Sequence, residues 1–297
     1  MATVHYQKMH SGQLIAYSRY GAPNGHPLLY FHGSPGSRRE IRNCDEKACA
    51  LGLQIVSMDR PGMGRSDFCG AYTLLDHARD ILEVADALGF EMFSICSLSG
   101  GAATLYSVAC AAPDRIRFAI DVAGWAPVAE HTALKSSMAP LDQVYLWIAR
   151  HTPWLFGSSF RLIKWASASP TRLMRVLSKS LSQADRAWLG TKDNMQRFQE
   201  SLQEALNQGI AGAAVDARLR YLPWGYDLAD ISIPVHLFHG TDDIFVPHSY
   251  AVWKRDRLAK ARLTTIPSAG HLEMMDRIPA LAAEVIFGSS MEKEQSS

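Results

Sequence analysis

Residues 91–107 read EMFSICSLSGGAATLYS, an apolar strand pattern that changes at once into a small-residue helix pattern. Ser99 lies where the two patterns meet. A sharp strand-to-helix turn forces strained backbone angles on its central residue, so the positions two before and two after it must be small. Ser97 and Gly101 satisfy that requirement. The segment therefore predicts a nucleophile elbow centred on Ser99, written S-x-S-x-G where the usual form is G-x-S-x-G.

Ser97 is the alternative nucleophile in the same stretch. An elbow centred on Ser97 would be flanked by Ile95 and Ser99. The β-branched side chain of Ile95 is too bulky for a flanking position of such a turn. The steric requirement of the turn thus favours Ser99 over Ser97.

A serine hydroxyl attacks efficiently only when a neighbouring base removes its proton and an acid orients that base. Residues 239–247, HGTDDIFVP, follow the apolar run 235–238 and place carboxylates on a loop after a buried strand. Residues 267–271, PSAGH, follow another strand pattern and end in a histidine. We therefore expect Ser99 as nucleophile and His271 as general base, with Asp243 orienting the imidazole.

Two further motifs complete an ordered set: HGSPG at residues 32–36 and DRPGMGRS at residues 59–66. Together with the elbow and the two loops, they resemble the α/β-hydrolase family with a helical cap, over about His5 to Gly288. The likeness extends to the HGxPG esterases and to prolyl aminopeptidase-like hydrolases. It implies the chain order Ser, Asp, His. It also implies an oxyanion hole formed by the backbone amides of Ser34 and Gly100.

The choice of acid has two alternatives. Asp242 is adjacent to Asp243, but only Asp243 keeps the spacing H-G-x-x-D-x-x-V-P. Asp121 lies near the end of the sixth predicted strand, and some family members take their acid from that loop. The simpler interpretation of Asp121 is a strand-end residue that caps or pairs locally.

Short apolar runs alternate with helical periodicity along the chain, a pattern typical of a parallel sheet with crossover helices. We expect an α/β fold with a mostly parallel central sheet, flanking helices and a helical cap inserted after the sixth strand. The predicted domains are a catalytic core at 1–127 and 225–297 and a cap at 128–224. Predicted strands are Val4–Met9, Leu14–Tyr20, Pro27–Phe31, Gln54–Met58, Glu91–Cys96, Arg117–Val122, Pro234–Phe238 and Arg262–Ile266; predicted core helices are Ser37–Leu51, Leu74–Leu88, Gly100–Ala111, His248–Ala259 and Glu273–Phe287.

Bulk composition limits the partners of the chain. A formal net charge of +1 provides no electrostatic footprint for nucleic acid or an anionic membrane. No apolar run approaches the roughly 18 residues that a membrane span needs. The five cysteines form no C-x-x-C pair and read as reduced thiols. The first residues show no basic region followed by an apolar stretch, so we expect a cytoplasmic protein without membrane or nucleic-acid partners. Its oligomeric state stays open.

The elbow residue restricts the chemistry. Dehalogenases and epoxide hydrolases of this fold need a carboxylate there, which Ser99 does not supply. Acyl transfer to water remains, with no metal or organic cofactor required. We expect first a carboxylesterase acting on an ester, lactone or thioester. One alternative is a prolyl aminopeptidase-like amidase, in which Glu200, Glu204 or Asp216 could bind the free α-amino group of the substrate. The other is a carbon–carbon bond hydrolase.

The substrate is predicted only as a small acyl compound. The region of the expected cap contains Trp147, Trp154, Trp165 and Trp188 with many leucines, which suggests an apolar pocket, although such residues also pack cap against core. A small-molecule receptor with little or no turnover is an alternative of a different class. An acyltransferase or a cyclase would differ only by excluding water from the acyl-enzyme.

Overall fold

The computed structural model describes residues 3–294, except for the side chains of Lys179 and residues 289–294. Within these residues, eight strands form one sheet in the order β1-β2-β4-β3-β5-β6-β7-β8. β1 and β2 pair antiparallel, as do β2 and β4, and every other pairing is parallel. The strands are β1 His5–Lys8, β2 Leu14–Gly21, β3 His26–Phe31, β4 Leu53–Met58, β5 Phe93–Leu98, β6 Ile116–Val122, β7 Val235–Gly240 and β8 Ala261–Ile266.

In the part of the chain that the structure describes, five helices flank this sheet. They are α1 Asp45–Ala50, α2 Leu74–Ala87, α3 Ala102–Ala111, α11 His248–Arg257 and α12 Met274–Glu294. Because helices cover both faces, every residue of β4 and of β5 is buried. The α/β fold predicted from the sequence is confirmed. No described helix is long and apolar enough to cross a membrane.

The first core helix begins later than predicted. We expected it over Ser37–Leu51, but α1 starts at Asp45 after a 3-10 turn at Arg42–Cys44. The preceding residues form a loop instead, because their polar groups bind elsewhere. The backbone N–H of Arg38 donates to Asp59 Oδ1 at 2.7 Å, and the Glu40 carboxylate accepts from the Gly33 N–H. Tertiary hydrogen bonds thus replace a first helical turn.

The chain between β6 and β7 contains seven α-helices and no strand among the described residues. We call residues 123–234 the inserted helical segment. Its helices contribute side chains to a cavity that strand-end residues of the core also line. The helices are α4 Thr132–Lys135, α5 Pro140–His151, α6 Phe156–Ser167, α7 Pro170–Leu177, α8 Gln183–Leu189, α9 Lys192–Ala205 and α10 Ala211–Arg220.

Candidate active site

Ser99 is the first residue after β5 and has a left-handed backbone conformation, with φ at 54°. Residues other than glycine rarely adopt that region. The turn is tight because the end of the neighbouring strand β3 crowds it: a Cβ atom on Gly101 would lie 2.2 Å from the Phe31 carbonyl oxygen. Only glycine fits there without a backbone shift. Ser99 therefore has the strained, crowded geometry expected of an elbow.

His271 and Asp243 lie together at the ends of two neighbouring loops. His271 Nδ1 is 2.7 Å from Asp243 Oδ2, and both side chains are buried. The other carboxylate oxygen, Oδ1, accepts the backbone N–H groups of Phe245 and Val246, each at 2.9 Å. Since a carboxylate only accepts hydrogen bonds, Nδ1 carries the proton and Nε2 is free to act as a base.

Each member of this pair changes the pKa of the other. Burial alone would lower the pKa of His271, but the charge of Asp243 and its hydrogen bond outweigh burial, so the pKa is raised above its ordinary value. Burial alone would raise the pKa of Asp243, but attraction to His271 outweighs it and the pKa is lowered. The pair is therefore suited to hold a proton that His271 receives from a nucleophile.

The HGSPG loop lies beside Ser99. A Cβ atom on Gly33 would be 3.7 Å from the Ser99 Cβ, and one on Gly100 would be 2.9 Å from the Ser34 Cβ. Both residues predicted for the oxyanion hole are therefore adjacent. The Gly33 N–H is not available to an oxyanion, because it donates to Glu40 Oε1 at 2.8 Å and to Oε2 at 3.0 Å.

Asp216, on α10, holds the same loop from the side of the inserted helical segment. Its Oδ2 accepts the Ser34 hydroxyl at 2.7 Å, and its Oδ1 lies 2.8 Å from Arg60 Nε. Arg60 also donates to the carbonyl oxygens of His32 at 2.7 Å and Gly33 at 2.6 Å. The position of Ser34 thus depends on contacts from both parts of the chain.

Asp185, on α8, makes a similar contact with the histidine loop. Its carboxylate accepts the backbone N–H of His271 at 3.1 Å and that of Leu272 at 2.6 Å. The Ser182 hydroxyl donates to the same carboxylate at 2.8 Å. The carboxylate is completely buried. The inserted helical segment therefore fixes the backbone that carries the imidazole.

Ser99, Ser34 and His271 line one cavity of about 290 Å³. Its other walls are mainly apolar, as the sequence predicted, but the tryptophans named for that role lie elsewhere. Trp147, Trp154 and Trp165 are 55%, 74% and 48% exposed, and Trp188 is likewise absent from the cavity lining. Phenylalanines, leucines and Trp125 form the walls instead; among them are Leu98, Phe156, Phe160, Leu173, Phe198 and Leu202.

Asp121, the alternative acid, is engaged in a different buried cluster. Its Oδ2 accepts the Tyr106 hydroxyl at 2.6 Å and forms an ion pair with Lys254 Nζ. Lys254 also donates to the Gly124 carbonyl at 2.8 Å. These contacts belong to the packing of α3 and α11 against β6, so the geometry favours a structural role for Asp121.

Substituting Lys254 with methionine is expected to lower the free energy of unfolding by about 3–5 kcal/mol, because it leaves a buried carboxylate without its cation. Urea unfolding followed by circular dichroism measures the change. Lys260→Met, at an exposed lysine three residues after α11, is the matched control and should stay within about 0.5 kcal/mol. Equal stability of the two variants would show that the ion pair is dispensable.

The three acids considered for an aminopeptidase are already paired with arginines. Glu200 binds Arg39 at 3.1 Å, and Glu204 lies 2.7 Å from Arg38 Nη1. Asp216 binds Arg60, as described above, and none of the three lines the cavity. A free amino group would therefore have to find a different carboxylate.

Sequence reasoning missed Glu40 and Asp185 as residues of the site, and also Arg220, which lines the same cavity. Glu40 had a signal, since it follows the HGSPG motif closely. Asp185 forms the pattern S-x-x-D with Ser182, which indicates a helix start but not that the carboxylate also reaches another loop. Arg220 had no local signal at all.

The chain is similar in sequence and fold to known proteins. A family model described as alpha/beta hydrolase fold matches residues 26–277. A non-heme chloroperoxidase from Streptomyces lividans is 26% identical over 270 residues, 88% of this chain and 90% of that protein. A pimeloyl-(acyl-carrier protein) methyl ester esterase from Nitrosomonas europaea is 26% identical over 258 residues, which cover 84% of this chain and 89% of that protein. A hydrolase structure from Pseudomonas aeruginosa PA01 has a TM-score of 0.71 at 20% identity, covering 96% of this chain and 98% of that one.

Proposed function

The chain belongs to the α/β-hydrolase family, and from that premise we propose that it is a serine hydrolase which cleaves a small carboxylic ester. The observation that carries the proposal is the buried pair of His271 and Asp243, 2.7 Å apart, with His271 lining the same cavity as the strained Ser99. A neutral imidazole fixed by a carboxylate next to an elbow serine is the arrangement that acyl transfer needs. The esterase relative from Nitrosomonas europaea supports an ester as the bond.

In the proposed mechanism, Ser99 Oγ attacks the acyl carbonyl carbon while His271 Nε2 takes the hydroxyl proton. Asp243 holds the imidazole and stabilises the imidazolium. The carbonyl oxygen becomes negative, and the backbone amides of Ser34 and Gly100 donate to it. The intermediate collapses when His271 returns the proton to the leaving alcohol. Water, deprotonated by His271, then hydrolyses the acyl-enzyme by the same steps and releases the acid.

We propose that the inserted helical segment supplies the cap domain, with the core at 1–127 and 225–297 and the cap at 128–224. The contacts of Asp185 and Asp216 with the catalytic loops support this assignment, because they couple the cap to the reacting groups. The apolar lining supports an apolar acyl or alcohol group in the substrate.

The test is hydrolysis of p-nitrophenyl esters of increasing acyl length by the purified chain, before and after treatment with a fluorophosphonate. We expect many turnovers per site, loss of turnover after treatment, and the label on the peptide that contains Ser99. Release of only one product per site would instead support a receptor.

Labelling of Ser99 without ester turnover would contradict the proposed esterase activity, but it would still support Ser99 as the nucleophile. Proline p-nitroanilide and a β-diketone would then test the amidase and the carbon–carbon hydrolase. A chain that is neither labelled nor active would contradict the serine mechanism itself.

A further inference from the structure

Arg220 ends α10 and lies against the proposed oxyanion hole. A Cβ atom on Gly100 would be 3.0 Å from Arg220 Cδ and 3.0 Å from its Nη1. Among the described residues that line the cavity, it is the only lysine or arginine. A permanent positive charge therefore stands beside the place where the scissile carbonyl would bind.

This guanidinium lacks the partner that comparable arginines have. Its Nε is buried and makes no hydrogen bond, and no described carboxylate lies within the 4.0 Å of an ion pair. Arg38 and Arg60, by contrast, are each paired with an acid from the neighbouring part of the chain. A buried Nε without a hydrogen bond also occurs in Arg38 and Arg60, so the missing ion pair is what distinguishes Arg220 and leaves its charge available to a group in the cavity.

Aromatic side chains hold Arg220 in this position. The centre of its guanidinium lies 5.8 Å from the ring centroid of Trp125 and 5.8 Å from that of Tyr221, within cation–π range. Trp125, which also lines the cavity, has a buried indole N–H with no hydrogen-bond partner among the described residues. Arg220 and Trp125 both line the cavity, and each has a buried N–H donor without an acceptor among the described residues.

The acids of the cavity do not fill this role. Glu40 accepts from the Gly33 N–H and from the Tyr30 hydroxyl at 2.9 Å. Asp142 accepts the Tyr221 hydroxyl at 2.7 Å, and burial raises its pKa, an effect that outweighs this hydrogen bond and the attraction of the Arg220 charge. Neither carboxylate forms an ion pair with Arg220.

We propose that Arg220 binds a carboxylate of the substrate beside the scissile carbonyl. The substrate class is then a half-ester: an apolar acyl compound that carries one free carboxylate in addition to the ester. A carboxylate fits better than a phosphate, because a single arginine in an apolar cavity matches one negative charge and a planar pair of oxygens. The inference rests on the proposed function, since it places the anion relative to the ester that Ser99 would attack.

The experiment compares two esters of the same shape, monoethyl succinate and ethyl succinamate, in which an uncharged amide replaces the carboxylate. We expect kcat/KM of the unchanged protein to favour the half-ester. In Arg220→Gln, the ratio of the two kcat/KM values should fall by about tenfold to a hundredfold, as for loss of a charged hydrogen bond. Arg220→Lys should retain part of the preference.

Arg218→Gln is the matched control. It removes the same charge from α10, but Arg218 is exposed and does not line the cavity, so the ratio should equal that of the unchanged protein. A ratio that does not change in Arg220→Gln overturns the proposal, including the case in which both esters lose activity equally.

A binding measurement keeps this inference separate from the proposed function. Glutarate, but not glutaramide, should raise the melting temperature of the unchanged protein, and Arg220→Gln should lose that difference. This readout needs no turnover and no reactive serine. Equal shifts with glutarate and glutaramide overturn the role of Arg220 even if ester hydrolysis is confirmed. A glutarate-specific shift in a chain without serine labelling would support Arg220 and contradict only the proposed mechanism.

Discussion

Replacing Ser99 with alanine is expected to lower kcat for ester hydrolysis by on the order of a million-fold, comparable to losses seen when a catalytic serine is removed. The alanine has no oxygen to attack the carbonyl, so no acyl-enzyme can form. The remaining rate would come from the oxyanion donors and substrate binding. Hydrolysis of the best p-nitrophenyl ester measures the rate, and fluorophosphonate labelling should disappear with it.

Ser97→Ala is the control for this substitution. The Ser97 side chain is buried, does not line the cavity and has a hydroxyl without a hydrogen-bond partner. Its removal should therefore leave kcat within a few fold and the melting temperature nearly unchanged. Labelling that persists in Ser99→Ala and is lost in Ser97→Ala would exchange the roles of the two serines.

The central strands β4 and β5 could be predicted closely because they are buried on both faces. The fourth strand was expected over Gln54–Met58 and is found over Leu53–Met58, since continuous apolar runs mark such strands. β5 was expected to end at Cys96 but continues to Leu98. Ser97 pairs with Phe31 and Asp121, so the sheet extends beyond the predicted end of the strand.

The spacing of the motif at residues 239–247 could identify Asp243 as the acid for a physical reason. In HGTDDIFVP, Val246 donates its N–H to Asp243, while its carbonyl oxygen lies 2.9 Å from His239 Nε2. The motif therefore encodes a closed set of hydrogen bonds that fixes one carboxylate. Asp242 is outside that set and exposed to solvent.

Contacts made by the inserted helical segment could not be predicted in the same way. Asp185 reaches the backbone of a residue 86 positions away, and Asp216 reaches Ser34 across 182 positions. Such pairings depend on how two parts of the chain pack, and no local pattern records them. Amphipathic periodicity predicts that a helix has a buried face, but not which loop that face meets.

Asp243→Asn is expected to lower kcat by about ten-thousand-fold, because it reverses the tautomer of His271. Oδ1 of the acid accepts two backbone N–H groups, from Phe245 and Val246. The asparagine must therefore keep its carbonyl oxygen there and turn its NH₂ toward Nδ1. His271 then accepts at Nδ1 and carries its proton on Nε2, where it cannot take the proton of Ser99. Ester hydrolysis measures the loss.

The pH profile distinguishes this effect from simple unfolding. Asp243 raises the pKa of His271, so the base form is lost as pH falls through that raised value. In Asp243→Asn the attraction is gone, and the acid limb of the residual kcat/KM should move to lower pH. Asp242→Asn removes the same charge from the adjacent exposed position. It should leave both kcat and the acid limb of the kcat/KM profile unchanged. If Asp242→Asn instead showed the large loss, the motif spacing would have identified the wrong acid, and the 2.7 Å contact with His271 would be structural only.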